Sequence, residues 1–185
     1  MRTAVLIALL ACASSWGCST YMPSVAPDQR PTGKEAIVYG RFEVSGSPAF
    51  SVDVDHRSMA VVMRCEDGRE YRIRFDDQQP IVVLATAPST CWLDEMFYLD
   101  TDNSTLGRTT LPDQVRRRMR LDAGRAYYLG DFSGTITAEF SDGFGYRFRI
   151  TDVKNELSTT TRDFREGFPK LRGMTPVDAI GPMHD

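Results

Sequence analysis

Alternation of apolar and polar residues with a period of two constrains this chain more than any other feature of its sequence. The segment REYRIRF sets Tyr71, Ile73 and Phe75 on one side of the backbone and two arginines on the other. Because successive side chains of a β-strand point to opposite faces, this is the pattern of a strand with one buried face. Such half-buried strands are typical of antiparallel sheets.

Segments with this alternation recur along most of the chain at roughly ten-residue spacing, which is typical of an antiparallel sandwich or barrel. They are AIVYGRFEV, CWLDEMFYL, RAYYLGDF, TITAEF and GYRFRI, together with the continuously apolar run PIVVLATA. Near the C-terminus the period changes, because Leu157, Thr161, Phe164 and Phe168 form one stripe of a helix. We therefore predict a mainly β fold, an antiparallel β-sandwich with one C-terminal helix.

Two turns carry signals for strand pairing. Residues 67–68 are Asp-Gly, which predicts a two-residue hairpin loop of the primed type. For the later hairpin, a loop of residues 141–145 would pair Ala138 with Phe148, whereas a two-residue loop would place the apolar residues opposite arginines. Since a one-residue slip exchanges the faces of a strand, the hydrophobic pattern favours the longer loop, with Phe140 paired to Tyr146.

The N-terminus has the pattern of an export signal. Arg2 precedes an apolar stretch of roughly ten residues, too short for a membrane-spanning helix, which needs about twenty. The sequence SWGC at residues 15–18 resembles the cleavage site of bacterial lipoprotein signals, and this resemblance implies a diacylglycerol on the sulfur of Cys18. Ser19 in place of aspartate implies, in that family, sorting to the outer membrane. We expect a lipid-anchored protein that faces the periplasm or the cell surface.

Other outcomes at the N-terminus stay open. Cleavage near Ala13 or Gly17 without lipidation would release a soluble periplasmic protein, and an uncleaved anchor would retain the signal. Cys12 fits one position of the lipoprotein signal better than Cys18 does, but it leaves a shorter apolar region.

The chain divides into four predicted regions. Residues 1–17 are the lipoprotein signal peptide, and residues 18–35, rich in proline, form a flexible tether that reaches at most about 55 Å. Residues 36–169 are the β-sandwich domain with its helix, and residues 170–185, punctuated by glycine and proline, are a loose tail. The net charge of −3 is too small to suggest a nucleic-acid partner.

Cys65 and Cys91 are the only cysteines of the predicted domain. In the oxidising periplasm we expect a disulfide between them, which would close a loop of about 25 residues and stabilise the fold by about 3 kcal/mol. The alternative is two buried thiols at strand ends. No C-x-x-C spacing suggests a metal or redox site.

Three further patterns in the sequence are candidates for binding or catalytic sites. Asp100, Asp102 and Ser104 have the spacing of a calcium loop, but the glycine and glutamate that an EF-hand needs are missing, so they are weak candidates and we predict no metal or cofactor. His56 follows two aspartates in DVDHRS, which also fits an exposed turn. Since no nucleophile-elbow, zinc-protease or Walker motif is present, we predict that the chain is not an enzyme.

Arg116, Arg118 and Arg120 alternate along one predicted strand and would share one face. They are a weak candidate site for an anionic envelope component such as lipid phosphate or acidic glycan. Alternatively, they are solvated, or they meet acidic residues of a neighbouring strand.

Four stretches, residues 37–42, 87–91, 123–132 and 168–169, carry a resemblance. They are similar to a group of uncharacterised Gram-negative envelope lipoproteins, and in outline to transthyretin-like sandwiches such as the regulatory domains of carboxypeptidases. The resemblance implies a transthyretin-like or immunoglobulin-like scaffold and no reaction.

These patterns lead to three hypotheses for function. We expect a membrane-anchored, non-catalytic envelope module that contacts a protein or polysaccharide partner. A small-ligand carrier would instead need a cavity between the sheets or at a barrel mouth. An enzyme with an unusual site would need a cluster of carboxylates around His56 with perturbed pKa values.

Overall fold

The computed structural model describes residues 25–46, 59–74, 81–99, 105–111, 113, 115–139 and 145–181. Over these residues the chain is mainly β, with two five-stranded sheets and one helix. The predicted β-sandwich with a single C-terminal helix is confirmed.

The elements follow one another in a simple order. They are β1 (Ala36–Gly46), β2 (Met59–Cys65), β3 (Glu70–Arg74), β4 (Ile81–Thr86), β5 (Ser89–Leu99), β6 (Thr105–Thr110), β7 (Met119–Leu121), β8 (Arg125–Glu139), β9 (Gly145–Lys154), α1 (Leu157–Gly167) and β10 (Thr175–Asp178).

The two sheets share one design. The disulfide sheet has the order β3-β2-β5-β6, with β7 also on β5; the helix-covered sheet has the order β10-β8-β1-β4, with β9 also on β8. In each sheet one long strand, β5 or β8, pairs on one side with a single strand and on the other with two shorter ones. The helix-covered sheet is mixed, because β1 and β10 both run parallel to β8.

The space between the sheets is filled by the apolar faces that the period-two pattern predicts. These side chains form one buried cluster, which includes Val38, Phe42, Val61, Met63, Ile73, Leu84, Leu93, Met96, Leu129 and Phe132. The sheets therefore pack face to face as in a β-sandwich.

A second apolar cluster lies on the opposite side of the helix-covered sheet, beneath α1. Ile37 and Tyr39 of β1 point to this side, whereas Val38 between them points into the sandwich. The ring of Phe164 stacks on Tyr39 with centroids 4.4 Å apart, and Phe168 extends the contact. This sheet is thus buried on both faces, and the molecule has three layers.

Helix α1 confirms the predicted helix and shows why its threonines are tolerated. Thr160, Thr161 and Phe164 are its buried residues, so the predicted stripe faces the sheet. The Asn155 side chain accepts a hydrogen bond from the Leu157 N–H at 3.3 Å, although the N-cap residue itself, Glu156, makes no side-chain cap bond. Packing, rather than helix propensity, stabilises this segment.

The fold extends past both predicted domain boundaries. Val25, within the predicted tether, is buried, and its N–H donates to the Val83 carbonyl at 2.7 Å. The loose-tail interpretation of residues 170–185 is wrong for residues 171–181, because β10 pairs with β8 and apolar side chains at positions 171, 174 and 180 are buried. These apolar residues, three and six positions apart, lie among glycines and prolines and show no clear period in the sequence.

The hairpin between β2 and β3 is confirmed, but its loop has three residues rather than two. The N–H of Cys65 donates to the Arg69 carbonyl at 2.9 Å, and the N–H of Gly68 donates to the Cys65 carbonyl at 3.0 Å. Gly68 has φ +82°, the left-handed conformation that a three-residue hairpin loop requires at its last position.

The hairpin between β8 and β9 differs from the prediction in register, although the number of residues between the paired strands is the same. Ala138 pairs with Tyr146, and Ile136 with Phe148, so the register differs by two residues from the prediction. A shift of two preserves the parity of the pairing, which is the part that the hydrophobic pattern determines. Residues 140–144, including Phe140, lie outside the described residues.

Candidate functional site

Two similar sequence motifs lie side by side in the helix-covered sheet. YGRF, residues 39–42 of β1, runs parallel to YLGDF, residues 128–132 of β8. Tyr39 is opposite Tyr128, and the rings of their terminal phenylalanines stack with centroids 4.7 Å apart. The second motif has one residue more, and the register shifts between the two strands at this point.

Glycine is required in both motifs for this close pairing. Gly130 has φ +113°, which an L side chain rarely adopts. A Cβ atom on Gly40 would lie only 2.8 Å from the Gly130 carbonyl oxygen. The two backbones can therefore approach this closely because Gly40 has no side chain, and Gly130 supplies the backbone conformation at the same point.

Next to the glycines lies a group of polar side chains that we call the Asp131 cluster: Arg41, Tyr128, Asp131, Thr160 and Asp163. The Tyr128 hydroxyl donates to Asp131 Oδ1 at 2.7 Å, and Thr160 Oγ1 lies 2.8 Å from each oxygen of the same carboxylate. Arg41 Nε is 3.5 Å from Asp131 Oδ2, and its guanidinium also binds Asp163.

The Asp131 cluster joins α1 to the sheet. Thr160 and Asp163 are helix residues, whereas Arg41, Tyr128 and Asp131 belong to β1 and β8. The Tyr128 hydroxyl also accepts a hydrogen bond from the backbone N–H just before the helix, at 2.9 Å. Because the Asp131 side chain is only 15% exposed, these charge-assisted bonds are shielded from water and fix the helix position.

Burial between sheet and helix raises the pKa of the Asp131 carboxyl above its ordinary value. The hydrogen bonds from Tyr128 and Thr160, and the charge of Arg41, lower this pKa but are outweighed. Burial, followed by the hydrogen bond to Asp131, also raises the pKa of the Tyr128 phenol. The cluster therefore contains an acid that takes up a proton more readily than a solvated aspartate.

The raised pKa of Asp131 predicts an unusual pH dependence of stability. Between the ordinary pKa of 3.8 and the higher folded-state pKa, the folded protein binds more protons than the unfolded chain. The free energy of unfolding from this group therefore grows as the pH falls through the folded pKa, and the gain is complete below the unfolded pKa. The variant Asp131→Asn lacks this gain. The free energy of unfolding of the wild type should therefore exceed that of the variant by more at about pH 4 than at about pH 7. Urea unfolding of the two proteins at each pH measures this difference. The same difference at both pH values would contradict the raised pKa of Asp131.

A second surface feature, the α1 groove, lies between the helix and the segment that leads into β10. It is an open depression of about 600 Å³. Its lining consists of Leu157, Ser158, Thr161, Arg162, Arg165, Glu166, Arg172 and Pro176. The groove thus combines apolar side chains with three arginines.

Two of these arginines have no acidic partner in the described part of the chain. No carboxylate of the described residues lies within 4 Å of the guanidinium of Arg165 or Arg172. Arg172 Nε instead donates to the Arg165 carbonyl at 3.2 Å, which holds the two residues side by side. Lys170 between them is exposed. This surface is locally cationic although the whole chain carries a net charge of −3.

The arginines singled out by sequence each face a carboxylate. The pairs are Arg116–Asp94 at 3.4 Å, Arg118–Glu66 at 2.6 Å and Arg120–Asp122 at 3.2 Å. Strand β7 begins only at Met119, so Arg116 precedes the strand. The arrangement matches the alternative in which neighbouring acidic residues balance these charges.

The disulfide between Cys65 and Cys91 is present. The two cysteines are direct partners in the antiparallel pairing of β2 and β5, with Cα atoms 4.0 Å apart. Both are buried, so the bond lies on the sandwich side of its sheet.

Several predicted site residues lie outside the described residues: Cys18, His56, Asp100, Asp102 and Ser104. Within the described ranges, no group of three or more histidine, cysteine, aspartate and glutamate side chains is arranged to hold a metal ion. No helix in these ranges is long and apolar enough to cross a bilayer.

No protein-family model and no curated protein matches this sequence. Among solved structures, the chain is similar to a proposed cell adhesion protein from Bacteroides uniformis, with 9% sequence identity and a TM-score of 0.28. The match covers 63% of this chain and 50% of the other, so this chain spans about half the length of the structure that it matches. At that identity and score, the likeness says nothing about what this chain does.

Proposed function

We propose that this chain is a lipid-anchored protein of the bacterial envelope, a non-catalytic interaction module that binds an anionic envelope component in the α1 groove. The observation that carries the proposal is the pair Arg165 and Arg172 in a groove that also contains Leu157 and Pro176, because no carboxylate of the described residues lies within 4 Å of either guanidinium. The anchor is the acylated Cys18 that the N-terminal sequence suggests.

The chemistry of the groove supports an anionic partner. Guanidinium groups bind carboxylates and phosphates through paired, charge-assisted hydrogen bonds, which are about twice as strong as neutral ones. Arg165 is half-buried, so part of its hydration is already lost before a partner arrives. Leu157 and Pro176 add apolar area that would favour a partner with both charged and hydrocarbon parts.

The carrier hypothesis has weaker support. A carrier of this architecture would hold its ligand between the two sheets. That space is occupied by the side chains of the large buried cluster, among them Phe42, Met96 and Phe132. The open groove beside α1 is the better binding surface.

In-cell cross-linking at the groove tests the proposed function. A photo-reactive amino acid replaces Ser158 in the groove. We expect it to cross-link the protein to envelope material that carries phosphate or carboxylate groups, and mass spectrometry identifies the cross-linked product. The attachment should be lost with Arg165→Glu/Arg172→Glu, because charge reversal repels an anion. Labelled fatty acid should enter the wild type and not Cys18→Ser, whose protein should leave the membrane fraction.

Matched variants keep this test specific. The same photo-reactive group at Thr110, an exposed position on the disulfide sheet, should give no such product. The variant Arg118→Glu/Arg120→Glu alters the same number of charges elsewhere and should leave the Ser158 product unchanged. An undiminished Ser158 product in Arg165→Glu/Arg172→Glu, or fatty acid retained in Cys18→Ser, would overturn the proposal.

A further inference from the structure

Few residues separate Cys18 from the first described residue of the fold, Val25. Val25 is fixed to β4 through its N–H and is buried in the apolar cluster beneath α1. Only seven peptide units separate Cys18 from Val25, and fully extended they reach about 25 Å. A lipid on Cys18 would therefore hold this part of the fold close to the membrane surface.

The attachment point of Val25 lies on the same side of the molecule as the α1 groove. Val25 belongs to the cluster that contains Phe164 and Phe168, on the helix side of the sheet. Val83, to which it bonds, starts a row of paired residues across the sheet: Val83, Tyr39, Tyr128 and Asp178. With strands about 4.8 Å apart, this row spans about 14 Å. Its far end is in β10, two residues beyond Pro176 in the lining of the groove.

The charge on this side fits an anionic lipid surface. Arg162, Arg165, Lys170 and Arg172 lie on α1 or just after it and outnumber the acidic residues of the same segment, Glu166 and Asp163, of which Asp163 is paired with Arg41 and Arg162. Basic side chains near anionic headgroups are attracted over about a Debye length. An acyl anchor keeps them near enough to the bilayer to come within that distance, and each contact with a headgroup then reinforces the anchor.

We infer that the partner of the α1 groove is the headgroup layer of the membrane that holds the anchor. This inference rests on the proposed lipidation of Cys18. In this arrangement the α1 side of the molecule lies against the bilayer, Arg165 and Arg172 bind lipid phosphates, and the disulfide sheet faces away. The short reach of the anchor and the cationic charge of the same side favour this partner over an acidic protein or glycan.

Hydrogen exchange on vesicles tests the inference. The mature lipoprotein is placed in vesicles of phosphatidylcholine, or of phosphatidylcholine mixed with phosphatidylglycerol. On the anionic vesicles alone, we expect slower exchange of the backbone amides along α1 and in residues 165–168. Added salt should reverse this protection. Arg165→Glu/Arg172→Glu should reduce the population in contact with the bilayer by about 25-fold, about fivefold for each arginine lost.

Controls separate this inference from the proposed function. Arg118→Glu/Arg120→Glu should leave the exchange pattern unchanged. Lys170→Glu, a single change at an exposed side chain, supplies a second variant if the double one fails to fold; it should weaken the contact about fivefold. Equal exchange on both kinds of vesicle would overturn the inference, as would protection of α1 by soluble polyglutamate or polygalacturonate alone. Those outcomes leave fatty acid labelling and cross-linking unaffected, whereas loss of labelling at Cys18 would overturn the proposed function itself.

Discussion

Removing the Cys65–Cys91 disulfide should lower the free energy of unfolding by about 3 kcal/mol. The bond links residues 26 positions apart, and in the chain-entropy model a loop of this size restricts the unfolded chain by about that amount. The double variant Cys65→Ala/Cys91→Ala should keep the native fold, because β2 and β5 also pair along the rest of their length. Urea unfolding of the variant and the wild type measures the difference.

Reductant provides a matched control for this prediction. The wild type unfolded in reductant should lose the same stability as the double variant, whereas the double variant itself should be insensitive to reductant. A double variant as stable as the oxidised wild type would show that the bond contributes nothing to folding.

Gly40→Ala should destabilise the protein by about 3 kcal/mol, at the upper end of the cost of overpacking. The added Cβ would lie 2.8 Å from the Gly130 carbonyl oxygen, which is backbone and cannot rotate away as a side chain could. Relief requires β1 and β8 to separate where Arg41 meets Asp131, so the helix contact should loosen as well. Urea unfolding and hydrogen exchange at α1 measure both effects.

Gly167→Ala is the control for Gly40→Ala. The chemical change is the same, but no atom lies within 4 Å of a Cβ at Gly167, the last residue of α1. Since alanine favours the helix over glycine, this variant should be more stable by about 0.5–1 kcal/mol. If both substitutions had the same effect, the close approach at Gly40 would not be the cause.

The faces of the strands could be predicted from sequence because alternation is a local property. Tyr71 and Ile73 are buried, and Arg72 between them is only half-buried, as REYRIRF predicts. The odd parity of the β8–β9 hairpin followed from the same argument. The length of the β2–β3 loop and the register of the β8–β9 hairpin were less accurate, since residues such as Gly68 permit more than one turn geometry.

Strand partners could not be predicted in this way. β1 pairs in parallel with β8, far along the chain, and a period-two pattern does not identify a neighbour. One signal was available in hindsight: the similar motifs YGRF and YLGDF carry Arg41 and Asp131 at equivalent positions. Opposite charges at equivalent positions of two similar strands are what adjacent pairing would favour.

The position of the α1 groove could not be predicted from a local sequence pattern either. An alternating arginine stripe looks the same in sequence whether or not carboxylates face it. Asp94 and Glu66, which balance two of those arginines, belong to β5 and to the loop after β2. The run RDFREGFPKLR contains the arginines of the α1 groove. Only the fold shows that no carboxylate of the described residues pairs with Arg165 or Arg172.

The layer that covers Tyr39 and Tyr128 comes from two segments far apart in the sequence, Val25 and residues 157–180. A polypeptide that emerges N-terminus first from the ribosome can pair β1 with β4 before residues 157–180 have been synthesised. The aromatic side of β1 stays exposed to solvent until that later segment packs on it. The cluster beneath α1 is therefore among the last parts of the described fold to be completed during synthesis.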